Sequence, residues 1–262
     1  SSKNSAAKIG ALSSGKYELV MCGASQSWGD DPFLVDARYH RMNITELGAI
    51  ARDERYAGFC LTSWSIRQSL KRLQRPLIEY AAKRFLDPSA DSAADWGKAV
   101  HDTFGPSCTP EMVDELFVSG RDLIAADSRQ WSGLKEGIPP PAGWFKNWCA
   151  KNPAKAHKLS TKAKFQSDST KKALNKWKAL AEPNDAVKLA IQAGELKVKQ
   201  CEMIVKALAG EKYYCPIAEA TSLYSKEQST RSAEKSAKLV LGFLIRSMRE
   251  RRLVFYSGRF SR

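Results

Sequence analysis

The sequence predicts an α/β fold in which a β-α-β-α unit is followed by a mainly α-helical region. Two short apolar runs, residues 17–24 (Tyr-Glu-Leu-Val-Met-Cys-Gly-Ala) and 57–62 (Ala-Gly-Phe-Cys-Leu-Thr), are typical of buried strands. Each run is followed by an amphipathic helical pattern, which favours parallel strands. From about Trp96 onward the apolar spacing is helical. We therefore predict a partial α/β unit at residues 1–105 and a basic, mainly helical extension at residues 106–262.

The second apolar run is the element around which we expect the first third of the chain to be organised. Its continuous apolar character suits a strand covered on both faces, so Cys60 in this run and Cys22 in the first are predicted to be buried thiols. Two parallel strands cannot cover both faces or close a barrel by themselves. The unit therefore needs more sheet than these two runs provide.

The helices are predicted from apolar spacing and from capping residues. Residues 43–52 have Asn43 as a cap and Glu46 three residues later, the spacing of a capping box. A segment rich in Gly, Pro and Trp, residues 131–148, is predicted to be a loop anchored by aromatic side chains. The remaining predicted helices are residues 76–86, 109–126, 151–178, 185–209 and 230–249.

The positive charge of the chain is concentrated in its C-terminal half. Residues 1–130 contain 16 Lys and Arg against 17 Asp and Glu, whereas residues 131–262 contain 26 against 11. This asymmetry allows contact with nucleic acid or another polyanion, and it equally fits a solvated lysine-rich helical surface. The polyanion-binding residues of the first alternative would be Lys151, Lys155, Lys158, Lys162, Arg249, Arg251 and Arg252.

Cysteine spacing and hydropathy indicate the cellular compartment. The six cysteines form no C-x-x-C pair, which argues against a zinc knuckle or a redox motif and favours a reducing environment. No secretory signal is visible, and no apolar run approaches the length of about 18 residues that a membrane span needs. We therefore expect an intracellular, cytoplasmic protein without contact with a membrane.

Common catalytic motifs are absent from the sequence. It contains no Walker loop, G-x-G-x-x-G, H-E-x-x-H or G-x-S-x-G. The three histidines, His40, His101 and His157, are far apart and are more often structural than catalytic at such spacing. We therefore predict no metal site and no cofactor. The Asp-Glu pairs at residues 53–54 and 114–115 do not follow apolar strands and are predicted to be surface charge.

Residues 59–65 (Phe-Cys-Leu-Thr-Ser-Trp-Ser) resemble the last barrel strand of glycoside hydrolase family 20 β-N-acetylhexosaminidases, especially the hexosaminidase D-like branch. Residues 17–31 resemble the preceding strand and its loop, and residues 36–44 resemble the segment that leads to the seventh barrel helix. The resemblance covers about residues 6–105. Residues 67–69 (Arg-Gln-Ser) differ from the Tyr-Asp-His found in that branch.

The resemblance implies the C-terminal β-α-β-α portion of a TIM-type barrel that removes terminal N-acetylhexosamine. In that family the acetamido oxygen of the sugar attacks the anomeric carbon, an Asp orients the acetamide, and an adjacent Glu is the general acid. These two carboxylates follow the fourth strand, which is not in this chain. The resemblance therefore implies no catalytic residue here and no activity of the chain alone.

The resemblance implies a contribution to the sugar pocket from the carboxyl ends of the two strands. Trp64 is the main candidate for stacking on the sugar, and a core aromatic at a strand end is the alternative for this residue. Trp28, Ser25 and Gln26 follow the first strand and are further candidates.

Two functional hypotheses follow from these patterns. In the first, the chain is the C-terminal portion of a family 20-like glycosidase, whose partners are an N-acetylhexosamine glycan and a chain or segment supplying the rest of the barrel. In the second, it is a non-catalytic scaffold or binding subunit of a larger assembly, which could contain RNA, through its basic helical half.

Overall fold

The computed structural model describes residues 20–26, 30, 33–53, 57–63, 70–87, 91–118 and 143–213, together with Glu219, Ser222, Leu223 and Ser225. In chain order the elements are β1 (Val20–Gln26), α1 (Ala37–Asp53), β2 (Gly58–Ser63), a 3-10 turn (Lys71–Gln74), α2 (Arg75–Leu86), α3 (Ser92–Phe104), α4 (Pro110–Leu116), α5 (Trp144–Lys151), α6 (Pro153–Lys178) and α7 (Asp185–Leu208).

The two strands form a parallel pair. Their register runs from Val20 opposite Gly58 to Gln26 opposite Ser63, with an irregularity between Ala24 and Gln26. The order β1, α1, β2, α2 confirms the predicted β-α-β-α unit. The described part of the chain contains no third strand, and β1 and β2 therefore each keep one edge without a hydrogen-bonded neighbour.

Among the described residues, helices cover one face of this sheet. On that face the ring of Phe59 stacks on Phe85 of α2 with 6.1 Å between centroids. The same ring also lies so close to Gly23 that a Cβ there would be 2.5 Å from it, which explains the glycine in β1. On the opposite face Cys22 and Cys60 are exposed. The prediction that these thiols are buried was wrong, because the described helices pack on the other face.

Helix α1 begins six residues earlier than the sequence pattern predicted. The carboxylate of Asp36 accepts a hydrogen bond of 2.9 Å from the backbone N–H of Tyr39 and so caps the first turn. Asn43 lies inside the helix, and the capping box predicted for it is not used. Ile44 and Ile50 are buried on the side that faces the core.

Other helix boundaries agree more closely with the predictions. Helix α2 has Pro76 in its first turn, as predicted. The hydroxyl of Thr109 accepts a hydrogen bond of 3.3 Å from the N–H of Met112 and caps α4. Helix α4 ends at Leu116, ten residues before the predicted end at residue 126. Helix α7 matches the predicted segment 185–209 within one residue. The segment predicted at residues 230–249 lies outside the described residues.

The last part of the segment predicted to be a loop, residues 131–148, is helical. Residues 131–142 lie outside the description, and helix α5 begins at Trp144. The aromatic anchoring is present, because Phe145 is buried and its ring meets those of Trp144 and Tyr213 at 5.1 and 5.8 Å between centroids. The helix forms because these side chains pack against the C-terminal part of α7.

The main hydrophobic core joins side chains from both predicted regions. It includes Leu77 of α2, Phe104 of α3, Val113 of α4, Trp177 of α6 and Val187 of α7. A second, smaller cluster lies between α5, α6 and the end of α7. Helices that begin after residue 105 therefore pack directly on those that precede it.

A partly buried ion-pair cluster links α1 to α4. The guanidinium of Arg41 donates to both carboxylate oxygens of Asp114, at 3.3 and 3.0 Å, and lies 4.9 Å from the centroid of Trp96. Arg38 adds a third contact to Asp114 at 3.4 Å. Asp114 was predicted to be surface charge, and this was wrong because its carboxylate is mostly enclosed by the two arginines. Glu115 is exposed as predicted and pairs with Lys176.

Candidate functional site at the carboxyl edge of the sheet

A buried polar network lies where β1 ends. The hydroxyl of Ser25 donates a hydrogen bond of 2.9 Å to the side-chain carbonyl of Gln74, and the amide nitrogen of Gln74 donates one of 2.7 Å to the side-chain carbonyl of Gln26. Ser25 and Gln26 are only 2% and 4% exposed. Such buried groups need partners, and Gln74, from the 3-10 turn after β2, satisfies both. The network therefore fixes the turn against the end of β1.

Two further contacts tie the strand ends to each other. The hydroxyl of Thr62 donates a hydrogen bond of 2.9 Å to the backbone carbonyl of Gly23. The hydroxyl of Ser25 also lies 3.3 Å from the carbonyl oxygen of Thr62. The carboxyl ends of β1 and β2 are thus held together by side chains as well as by the backbone ladder.

A fully buried histidine–aspartate pair lies on the connection from β1 to α1. Nε2 of His40 is 2.5 Å from Oδ2 of Asp30, and both side chains are 0% exposed. His40 is in the first turn of α1, and Nδ1 of its ring is buried without a hydrogen-bond partner. The pair fixes the start of α1 relative to the loop that leaves the carboxyl end of β1.

The structure brings together only part of the predicted sugar site. Ser25 and Gln26 are neighbours in one network, whereas Trp28 and Trp64 lie outside the described residues. Gln74 and Asp30 were not among the predicted site residues. Gln74 precedes a helix with an N-terminal proline, and Asp30 lies in the loop after a predicted strand, so the sequence places both near the ends of elements without indicating their partners.

The predicted basic residues lie on two helices. Lys151 ends α5, and Lys155, Lys158 and Lys162 follow on α6. Lys151 does not share a helix with the other three, because α5 ends at Lys151 and α6 begins at Pro153, after Asn152. Arg249, Arg251 and Arg252 lie outside the described residues.

The two halves of α6 differ in charge. In the C-terminal half, Lys171 pairs with Glu202 at 2.8 Å and Lys178 pairs with Glu195 at 2.6 Å. The hydrogen bond to Glu202 raises the pKa of Lys171. By contrast, residues 143–167 contain six lysines and no Asp or Glu. Phe165, at the end of this segment, is 73% exposed. We call residues 143–167 the basic segment.

Within the parts of the chain that the structure describes, no group of three or more His, Cys, Asp or Glu side chains is placed to hold a metal ion. The described helices also include none that combines the length and the apolar character needed to cross a bilayer.

Comparison of the chain with family models, with curated proteins and with solved structures gave no match. The functions considered below therefore rest on the residues and geometry of this chain.

Proposed function

We propose that this chain supplies the last two strands of a (β/α) barrel that hydrolyses terminal N-acetylhexosamine, together with a chain or segment that carries the other strands. The observation that supports this proposal is the unequal covering of the sheet. Helices α1 and α2 cover one face, as helices cover the outside of a barrel wall, while Cys22 and Cys60 on the opposite face are exposed and no described helix packs on them.

The face opposite the helices carries small side chains that further strands could cover. Cys22 and Ala24 of β1 alternate with the covered residues, and Cys60 and Thr62 lie opposite them in the register. Parallel sheets occur almost entirely with both faces covered. Further parallel strands added at the free edges of β1 and β2 would curve over these small side chains and bury them.

The active site of a barrel lies at the carboxyl ends of its strands. There, the network of Ser25, Gln26 and Gln74 would position the strand ends, and Trp64 and Trp28 would contact the sugar. The acetamide-orienting Asp and the general-acid Glu would come from the fourth strand of the completed barrel. The sugar's own acetamido oxygen would be the nucleophile in this retaining mechanism.

Native mass spectrometry of protein purified from its natural source, with denatured intact mass beside it, tests this proposal. We expect a polypeptide, separate from this chain or continuous with it, that carries an apolar strand ending in Asp-Glu. We also expect that material to hydrolyse an aryl N-acetyl-β-glucosaminide. A folded species with the mass of this chain alone would contradict the proposal.

In the active material, replacement of Trp64 by alanine is expected to reduce kcat/KM by about 30-fold. This corresponds to roughly 2 kcal/mol of lost stacking and positioning. The matched control is Trp144→Ala in α5, which lies in the second hydrophobic cluster. Equal kinetics of the Trp64 variant and the parent protein would remove Trp64 from the site.

A second candidate function is the binding of single-stranded RNA through the basic segment. The specific observation is that its six lysines occur with no carboxylate in the same segment and with an exposed phenylalanine, Phe165, at its end. Lysines bind phosphates without regard to sequence, and aromatic rings stack on bases. In the C-terminal half of α6, carboxylates of α7 pair with Lys171 and Lys178.

The salt dependence of binding to a labelled RNA homopolymer tests this function. For Lys155→Ala/Lys158→Ala we expect weaker binding, and we expect the magnitude of the slope of log K against log salt to fall by about 1.4. Lys172→Ala, an exposed lysine of the other half of α6, is the matched control. Equal slopes for the double variant and the parent protein would exclude the basic segment as the binding surface.

A further inference from the structure

Cys22 and Cys60 lie directly opposite each other on the open face of the sheet. They are register partners in the parallel pair, and the neighbouring Cys22 contributes to raising the pKa of Cys60. Both side chains are exposed. Neighbouring parallel strands are about 4.8 Å apart, which lies within the range of about 4.4–6.8 Å between Cα atoms that a disulfide requires.

We propose that Cys22 and Cys60 are a thiol modification site that forms a reversible disulfide by reaction with a low-molecular-weight disulfide such as oxidised glutathione. The proposal goes beyond the glycosidase and RNA-binding functions, and it applies to the chain as long as no further strands cover this face. It rests on the register of the two cysteines and on the exposure of both side chains.

The reaction balances in two exchange steps. The thiolate of one cysteine attacks a sulfur of oxidised glutathione, forming a mixed disulfide and releasing one molecule of glutathione as its thiolate. The thiolate of the second cysteine then attacks the protein sulfur of this mixed disulfide and releases the second glutathione. The two protein thiols lose their protons and are oxidised to a disulfide, and one glutathione disulfide is reduced to two thiols.

The other described cysteines are poorly placed for this reaction. Cys108 and Cys201 are buried, and burial raises the pKa of Cys108 to about 12, so its thiolate is scarce. Cys149 is half-buried, and its thiol donates a hydrogen bond to the carbonyl of Leu208. Partial burial of its sulfur and the neighbouring Cys22 raise the pKa of Cys60, so we expect oxidation of the pair to accelerate as the pH rises.

The bond would add a covalent link between the two described strands. It would close a loop that contains α1, so that Cys22 and Cys60 would stay joined even in the unfolded chain. Such a disulfide reduces the conformational entropy of the unfolded chain more than that of the folded chain, and so it stabilises the folded state. The oxidised protein should therefore unfold at a higher urea concentration than the reduced protein.

The test uses the full chain carrying Cys149→Ser and Cys215→Ser, incubated at a series of ratios of reduced to oxidised glutathione. The thiols are then blocked with iodoacetamide, and the intact mass and the peptide map are measured. We expect a species that has lost two hydrogens, with Cys22 joined to Cys60, and we expect dithiothreitol to restore the dithiol.

Two single variants make the result specific. With Cys22→Ser or Cys60→Ser, the internal disulfide should fall at least tenfold, and the remaining cysteine should carry a mixed disulfide with glutathione. Mixed disulfides at both positions of the parent protein, or reduced thiols at every ratio, would overturn the proposal. The chain is purified without any other polypeptide, so the strands that the glycosidase proposal adds cannot cover the two thiols, and failure here is distinct from failure of that proposal.

Discussion

Replacement of Trp177 by alanine is expected to lower the free energy of unfolding by about 3–5 kcal/mol, the usual cost of truncating a fully buried large aromatic side chain. Trp177, on α6, is 0% exposed and packs against the ends of α3 and α4. Its ring meets those of Phe104 and Phe117 at 5.1 and 5.9 Å between centroids. Its indole nitrogen donates a hydrogen bond of 3.1 Å to the carbonyl of Met112.

The loss has two parts. Truncation leaves a cavity among rings that cannot fully collapse into it, and it leaves the carbonyl of Met112 without this donor. Trp177→Phe keeps most of the ring and should lose less than the alanine variant. The free energies of unfolding of both variants are measured by urea unfolding, followed by circular dichroism at low temperature.

Trp144→Ala is the matched control for Trp177, because Trp144 is only half-buried and belongs to the smaller cluster. We expect it to cost clearly less than Trp177→Ala. Equal losses would mean that the core around Trp177 does not carry more of the stability than the α5 cluster.

Replacement of His40 by alanine is also expected to cost about 3–5 kcal/mol, because it removes a hydrogen-bond partner of the buried Asp30 carboxylate together with the packed atoms of a fully buried ring. The imidazole lies 2.5 Å from the Asp30 carboxylate, and no solvent reaches either side chain to replace the contact. Its removal also creates a cavity at the start of α1. Because total stability is typically about 5–15 kcal/mol, such a variant should unfold at a much lower urea concentration.

His157→Ala, on the exposed surface of α6, is the matched control and should change stability little. His40→Gln separates the lost hydrogen bond from the cavity. A glutamine amide can still donate to Asp30, so this variant should recover part of the lost stability. A change below about 1 kcal/mol for His40→Ala would show that the pair contributes little to folding, contrary to the expectation for a buried pair.

Part of the fold could be predicted because local spacing determines it. The apolar residues of α7 recur at helical intervals, and Val187 and Cys201 are buried as that pattern indicates. Thr109 and Pro110 mark the start of α4, because a hydroxyl cap and a proline in the first turn act within one turn of the chain. The parallel pairing of β1 and β2 followed from a helix placed between two apolar runs.

The candidate site was predictable only in part. Ser25 and Gln26 could be placed at the end of a strand from the sequence, but their partner Gln74 is 48 residues from Gln26 and has no pattern that links the two. Likewise the residues flanking Asp30 and His40 do not reveal that these two side chains meet in a buried pair. Contacts of this kind depend on where whole elements pack.

The sequence by itself determined helices α6 and α7, the start of α4, the parallel strand pair and the basic character of the C-terminal half, because these depend on spacing, caps and composition. Only the tertiary structure decided that the described helices leave one face of the sheet uncovered, that Cys22 and Cys60 are exposed neighbours, and that Asp114 is contacted by two arginines. An apolar run indicates that a strand can be buried on both faces. Whether it is buried depends on which elements are present to cover it.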